Sequence, residues 1–176
     1  NGKGKKGYAE IWDVLSSKLE ASLTALGTDY IDIMLIHDAR SEELLFHPEV
    51  MRFFSEAKRA GTIKAHGFSS HNDYLNIPAR NNKENFYNVI MTPFNHKGSF
   101  IHSQSGTYSE WDQNKLLGIL SEAGSKGIAV ISMKTCSGGP YSPAQGTEAN
   151  FREAVKWVLG HDFVSSAAVA MSNFEQ

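Results

Sequence analysis

Five apolar runs in this 176-residue chain end in side chains able to hydrogen-bond or carry charge. Residues 30–36 run into His37-Asp38, residues 62–68 into Ser69-Ser70-His71, and residues 87–92 into Pro93-Phe94-Asn95-His96. Residues 128–133 close on Lys134-Thr135-Cys136-Ser137, and residues 163–170 on Met171-Ser172-Asn173. An imidazole beside a carboxylate can hold or move a proton near neutral pH, or polarise an oxygen. Ser and Asn can hold an amide or a phosphate, and an ammonium directly after a buried strand needs an anion or water. Each feature also has an ordinary explanation. Ser and Asn after strands form turns and caps, a lone histidine is commonly structural, and no basic residue adjoins Cys136 to activate its thiol. Recurrence argues for function, because strand ends of a parallel barrel converge on one mouth. A metal-dependent hydrolase built on His37, Asp38, His71 and His96 is a weaker reading. The sequence has no His-x-His pair, and strand-end ligands alone are a poor signal.

Helices must position these ends. Tyr8, Ile11, Trp12, Leu15, Leu19, Leu23 and Leu26 recur at three and four residues until Gly27 stops the pattern. Residues 1–7, a Gly/Lys cluster, read as a solvated loop. Pro48 suits the first turn of a second helix with Val50, Phe53, Phe54 and Ala57 inward, ended by Gly61. Pro78 and the Asn81-Asn82 pair argue against one long helix over residues 72–85. Residues 97–108 have no period, and a loop that long is functional or disordered. Residues 109–112 read as a helix start, with Leu116, Leu117, Leu120 and Ala123 buried after it. A last helix from about residue 150 turns Phe151, Ala154, Val155, Val158 and Leu159 inward. The first strand, residues 30–36, is apolar enough to be buried on both faces.

Alternating helices and strands imply right-handed crossovers and a parallel sheet. The fold class is therefore α/β, with about five parallel strands. A complete eight-stranded barrel takes roughly 250 residues, so this length suits part of a (β/α)8 barrel. No Gly-x-Gly-x-x-Gly follows any strand, which disfavours a doubly wound dinucleotide fold. Net charge is −2 and pI about 6.4, leaving no electrostatic footprint for nucleic acid or an anionic membrane surface. Hydrophobic residues make up 41%, enough to fill one core. One cysteine, Cys136, rules out an internal disulfide and fits a reducing, cytoplasmic setting. No apolar run approaches the roughly 20 residues of a membrane-spanning helix. No signal peptide is visible, though the chain opens on Asn1 rather than Met.

The residues resemble the aldo-keto reductase family over nearly the whole chain. The passage Ser22-Leu23 through Leu26-Gly27-Thr28-Asp29-Tyr30-Ile31-Asp32 to His37 resembles that family's fourth-strand signature. Gly61-Thr62-Ile63, continuing to Gly67-Phe68-Ser69-Ser70, is similar to its fifth-strand motif, and residues 87–95 to its sixth strand. Met133-Lys134-Thr135-Cys136-Ser137-Gly138-Gly139 resembles the seventh-strand end of the bacterial-type branch, and Ala170-Met171-Ser172-Asn173 sits at the eighth. The resemblance implies strands four to eight of a TIM barrel, residues 1–176 being one domain truncated at the N-terminus and at the C-terminus.

It also implies NADPH or NADH as cofactor and an aldehyde or ketone as small-molecule substrate. In the family a tyrosine donates the proton, aided by Asp and Lys, while a His orients the carbonyl oxygen. Of these four, the resemblance carries over only the His, at His37. Lys3, Lys5 and Lys6 are poor stand-ins for the Lys, since no buried strand leads into them. Ser69 and Ser70 match the pair that holds the nicotinamide carboxamide, with Ser70 replacing an Asn and Met91 standing where a Gln helps. Met133 takes the place of the ring-stacking Tyr and offers a polarisable thioether. Lys134, with Ser137, Gly138 and Gly139, is placed near the pyrophosphate, and Ser172 and Asn173 near the adenosine phosphate. Met171 replaces a basic residue of strict NADPH users. The expectation is an oxidoreductase whose isolated 176-residue chain is inactive and prone to associate through open strand edges. Substitutions at Ser70 and Met91 motivate the alternative, a non-catalytic nicotinamide-binding or interaction subunit of the same fold.

Overall fold

The computed structural model describes residues 3–71, 73–102, 105–137 and 151–170. Helix α1 (Lys3–Leu26) leads into β1 (Ile31–Ile36), a one-turn helix α2 (Glu42–Leu45) and α3 (Pro48–Arg59). Then come β2 (Ile63–Ser69), α4 (Asn76–Glu84), β3 (Val89–Pro93) and a ribbon of β4 (Ser99–Ile101) with β5 (Tyr108–Glu110). Helix α5 (Gln113–Ser125), β6 (Ala129–Met133), α6 (Phe151–Leu159) and β7 (Val164–Ala167) complete the described chain. Strands pair in parallel in the order β1-β2-β3-β6-β7, while β4 and β5 form a separate antiparallel pair. The main sheet never reverses its strand order. A doubly wound sheet does, at the point where its ligand binds. Sequential parallel order is the wall of a (β/α)8 barrel.

One joint repeats from helix to strand. At the end of α1 the Gly27 N–H donates to the Thr24 carbonyl and the Thr28 N–H to the Leu23 carbonyl, both at 3.2 Å. This is a Schellman closure, and it needs a left-handed residue, here Gly27 at φ 64. The same pair of bonds, through Gly61 and Gly127, ends α3 and α5. After α4 the left-handed residue is Asn85, at φ 51.

Burial is one-sided. Phe68, Ile90 and Val130 point from the strands into a core with Phe53 and Phe54 of α3, Ile77 of α4, Leu116 and Leu120 of α5 and Val158 of α6. Pairing sets Ile33 beside Ala65, Val89 beside Ala129 and Met91 beside Ile131, on the alternate face. That face is only partly covered, with Ile33 46% exposed. The expectation that the first strand is buried on both faces is therefore corrected. Among the described residues β1 pairs only with β2, and Ile31, Met34 and Ile36 of this strand pack against the core.

Other boundaries also differ from expectation. Lys3 to Gly7 are helical, since adding turns to a nucleated helix costs little. Residues 76–84 form one helix because Pro78 lies in its first turn, where no N–H is required. The Asn pair serves as brackets. Buried Asn81 exchanges two 3.0 Å bonds with the Tyr87 backbone, and Asn82 donates to the Ile119 carbonyl at 2.8 Å. Residues 109 and 110 belong to β5, and Asp112 caps α5 by accepting the Lys115 N–H at 3.0 Å.

His66 is buried against Phe54, stacked at 5.3 Å, and edge-on to Phe86 and Tyr87. Burial pulls its pKa from 6.5 down to about 4, with the Lys58 charge adding to the effect. The folded state thus binds fewer protons than the unfolded chain between these values. Stability is full above pH 6.5 and falls as pH drops toward 4, by on the order of 2–3 kcal/mol. Urea melts across pH 4–7 are expected to show this loss, and His66→Leu is expected to flatten it; an unchanged slope in the variant assigns the loss elsewhere. Gly67 meets β3 closely, where an added Cβ collides with the Val89 carbonyl and stands 2.8 Å from the Val89 Cβ. Gly67→Ala is expected to cost about 3 kcal/mol in the same melts, because backbone rather than a flexible side chain must yield.

Candidate active site

The ladder continues past the strand ends. At β1 the Asp38 N–H donates to the Ser69 hydroxyl (3.1 Å) and the Ala39 N–H to the Ser69 carbonyl (2.7 Å). Ser70 N–H reaches the Met91 carbonyl (3.1 Å), Phe94 N–H the Met133 carbonyl (3.0 Å), and Ala168 N–H the Ser132 carbonyl (2.7 Å). All five strand ends are thereby held in one row. Asp38 and Lys134 both have positive φ, at 53 and 57, conformations a bulky side chain rarely adopts. Neither caps a helix, unlike Asn85. Backbone strain of this kind gathers where structure is over-determined, as at sites.

His37 is exposed at the end of β1, its ring 6.4 Å from that of His71 at the end of β2. A cavity of about 500 Å3 opens beside it between α1, the end of β1 and α2, lined mainly by apolar groups such as Ile11, Leu15, Ile36 and Leu45. Arg40 donates to the Asp38 carboxylate, with Nε 2.7 Å from Oδ2, and this contact holds Asp38 below the usual carboxylate range. His71 is half-buried. Burial, and next the Lys134 charge, push its pKa below the ordinary imidazole value, against the pull of Asp38.

Ser69 accepts the Asp38 amide, so its own hydroxyl proton remains available to a ligand. Ser70, fully buried, already donates to the Ala39 carbonyl at 2.9 Å and accepts the Asp73 N–H at 3.3 Å. Its hydroxyl ties the turn after β2 to the turn after β1. Met133 is buried on the partly covered sheet face, and Lys134 holds its ammonium 5.5 Å from the Phe100 ring centroid. Ser172 and Asn173 lie outside the described residues. A nicotinamide asks for an apolar surface against its ring and a hydrogen-bond partner for its carboxamide. Met133 at the end of β6 and Ser69 at the end of β2 offer those groups, with the end of β3 between them.

Asn95 is structural. Its Nδ2 donates to the Ser99 and Lys134 carbonyls (2.9 and 3.0 Å) and its Oδ1 accepts the Lys97 N–H (3.0 Å). This bracket fixes the β4–β5 ribbon against the strand row. The ribbon contributes Phe100 and His102, with the His102 ring 6.3 Å from His71. Sequence reasoning missed both residues, its one clue being the long aperiodic stretch from residue 97. His96 instead faces Trp157, at 6.4 Å. Among the described residues, no three His, Cys, Asp or Glu side chains are grouped to hold a metal ion. No described helix is long and apolar enough to cross a membrane.

No curated protein sequence matches the chain. Among solved structures, the holo form of aldo-keto reductase AKR11C1 from Bacillus halodurans superposes with a TM-score of 0.65 at 20% identity, covering 96% of this chain and 59% of that one. Its apo form gives 0.64 at 19% identity, covering 94% and 60%. The thermostable aldo-keto reductase Tm1743, in complex with the inhibitor epalrestat, gives 0.61 at 20% identity, covering 93% and 57%. The chain thus spans about six tenths of the length of these structures. Identities this low speak for the fold alone, a parallel wall of the (β/α)8 barrel. The profile of the Aldo/keto reductase family matches residues 3–156, and the chain belongs to that family.

Proposed function

We propose that this chain supplies the carbonyl-polarising and nicotinamide-facing wall of an NAD(P)H-dependent oxidoreductase that reduces aldehydes or ketones. The carrying observation is the placement of His37 at the end of β1, within a row of hydrogen-bonded strand ends and beside an apolar cavity. Family membership supports the reaction class. Bound NADPH or NADH supplies the hydride. His37 donates a hydrogen bond to the carbonyl oxygen and favours the negative charge that develops there, an effect strongest when the donor is fixed in advance. The Ser69 hydroxyl holds the carboxamide and Met133 covers the ring, while Lys134 follows Met133 at the end of the same strand. Ser70 supports this arrangement through the turn it ties, and Ser172 and Asn173 are assigned to the adenosine phosphate. The lone Cys136 fits a cytoplasmic setting.

The decisive comparison separates cofactor binding from turnover in the full-length protein. His37→Ala is expected to lower kcat for carbonyl reduction by about 10²–10³-fold, the usual loss for one oxyanion donor. The cofactor Kd, read by nicotinamide fluorescence, is expected to stay within about twofold, because His37 faces the substrate. Equal losses in both would make His37 structural. Cofactor binding with no turnover of any aldehyde or ketone would favour the non-catalytic subunit instead.

A further inference from the structure

We propose that His71, His102 and Lys134 form a binding site for an anionic group on the substrate, so that the carbonyl compounds taken at this mouth carry a carboxylate or a phosphate. The inference rests on the carbonyl-reductase reading and deepens it by naming the substrate class.

Three separate elements bring one ammonium and two imidazoles together. His71 follows β2, His102 follows the ribbon strand β4, and Lys134 follows β6. Their common floor is Phe100, only 2% exposed. The Lys134 Nζ stands 5.5 Å from its ring centroid, His102 6.4 Å and His71 6.5 Å, with His71 and His102 6.3 Å apart. Tyr74 and Trp111, each 6.4 Å from Phe100, widen that floor. An oxyanion set between two rings at such spacing lies at hydrogen-bonding reach of both.

Lys134 differs from three other lysines of the chain. Lys64, Lys126 and Lys156 hold carboxylates at 2.7–2.8 Å. Lys134 instead rests over an aromatic ring, and among the described residues it forms no ion pair with a carboxylate. The acid facing His71 is Asp38, and Arg40 brings a matching positive charge to it. An ammonium with two imidazoles beside it, over an aromatic floor, offers the N–H donors that an oxyanion accepts from. Lys134 also keeps a left-handed backbone that lysine rarely adopts.

The place of the cluster sets the kind of anion. His71 is the near neighbour of His37, with 6.4 Å between their rings. A group held by His71, His102 and Lys134 therefore sits a few bonds from a carbonyl oxygen on His37. Short oxo acids and phosphorylated aldehydes meet that requirement. The phosphates of the cofactor share the chemistry, so the test must tell the two sources apart.

Histidine side-chain NMR on the full-length protein, titrated with inorganic phosphate and with glyoxylate, reads the site directly. Saturable shifts at His71 and His102 are expected, with the His71 imidazole pKa rising on binding. Lys134→Met is expected to weaken both anions at least tenfold, Lys64→Met to leave them unchanged, and neutral glycolaldehyde to cause no saturable shift at His71 or His102. Prior saturation with NADPH is expected to leave the glyoxylate Kd unchanged or lower. Absence of saturable shifts, or full binding in Lys134→Met, overturns the proposal. So does competition by NADPH, which would give these donors to the cofactor. Should Lys134→Met fail to fold by circular dichroism, Lys134→Arg decides: binding within about threefold of wild type upholds the site, and loss refutes it. Saturable anion binding in a full-length protein that ignores both NADPH and NADH upholds the site while sinking the reductase reading, so the two failures are distinguishable.

Discussion

Everything at the polar edge depends on one constraint: a parallel strand must hand its hydrogen-bonding partners to its neighbour even after the strand has ended. Ser69 meets this for β1, its carbonyl and hydroxyl receiving the amides of Ala39 and Asp38. Without those bonds the turn after His37 would leave two amides unpaired, and buried unpaired amides cost about 1–3 kcal/mol each. The left-handed backbone of Asp38 is tolerated because its amide is held. Phe94 and Ala168 continue the same device across β6 and β7. The row of strand ends is thus a hydrogen-bonded surface, on which side chains acquire fixed positions.

A rigid row concentrates electrostatics. His37 at the open end of β1 meets solvent, whereas His71 is half-buried between it and the ribbon. Burial and the neighbouring Lys134 keep His71 neutral further into the acid range than a free imidazole. The buried histidine of the core, His66, shares the first cause and none of the consequence. It is packed between Phe54, Phe86 and Tyr87, away from the strand ends, and its depressed pKa reports packing alone. Two histidines with shifts of the same sign therefore differ in meaning, and only geometry tells them apart.

Much of this was legible in the sequence where local patterns decide. Helix stops at Gly27, Gly61 and Gly127 and the apolar runs behind them predict the alternation, since a Schellman closure is written in a few adjacent residues. His37 and Ser69 are located by following strands to their ends. Long-range facts were harder. The half-open face of β1 depends on the absence of a second strand neighbour, which a run such as Ile31-Asp32-Ile33-Met34 does not encode. Asn81 and Asn82 read as turn formers because their partners, the Tyr87 backbone and the Ile119 carbonyl, lie on other elements. Ser70 looks like a free ligand donor until its bond to Ala39, 31 positions away, is seen.

The ribbon is the clearest case. Strands of three residues carry too little alternation to be read, and β4 and β5 are held by a buried Asn rather than by an apolar stripe. Yet this ribbon carries Phe100 and His102 to His71 and Lys134. Chemistry at the strand ends is therefore shared between two kinds of support. The parallel wall fixes His37 and Ser69 through a periodic ladder that many sequences can build. Polar cross-links fix the ribbon, and these depend on single side chains such as Asn95. Change in the ribbon alters what surrounds His71 without disturbing the wall, so residues that choose a substrate can vary while the one that polarises its carbonyl stays in place.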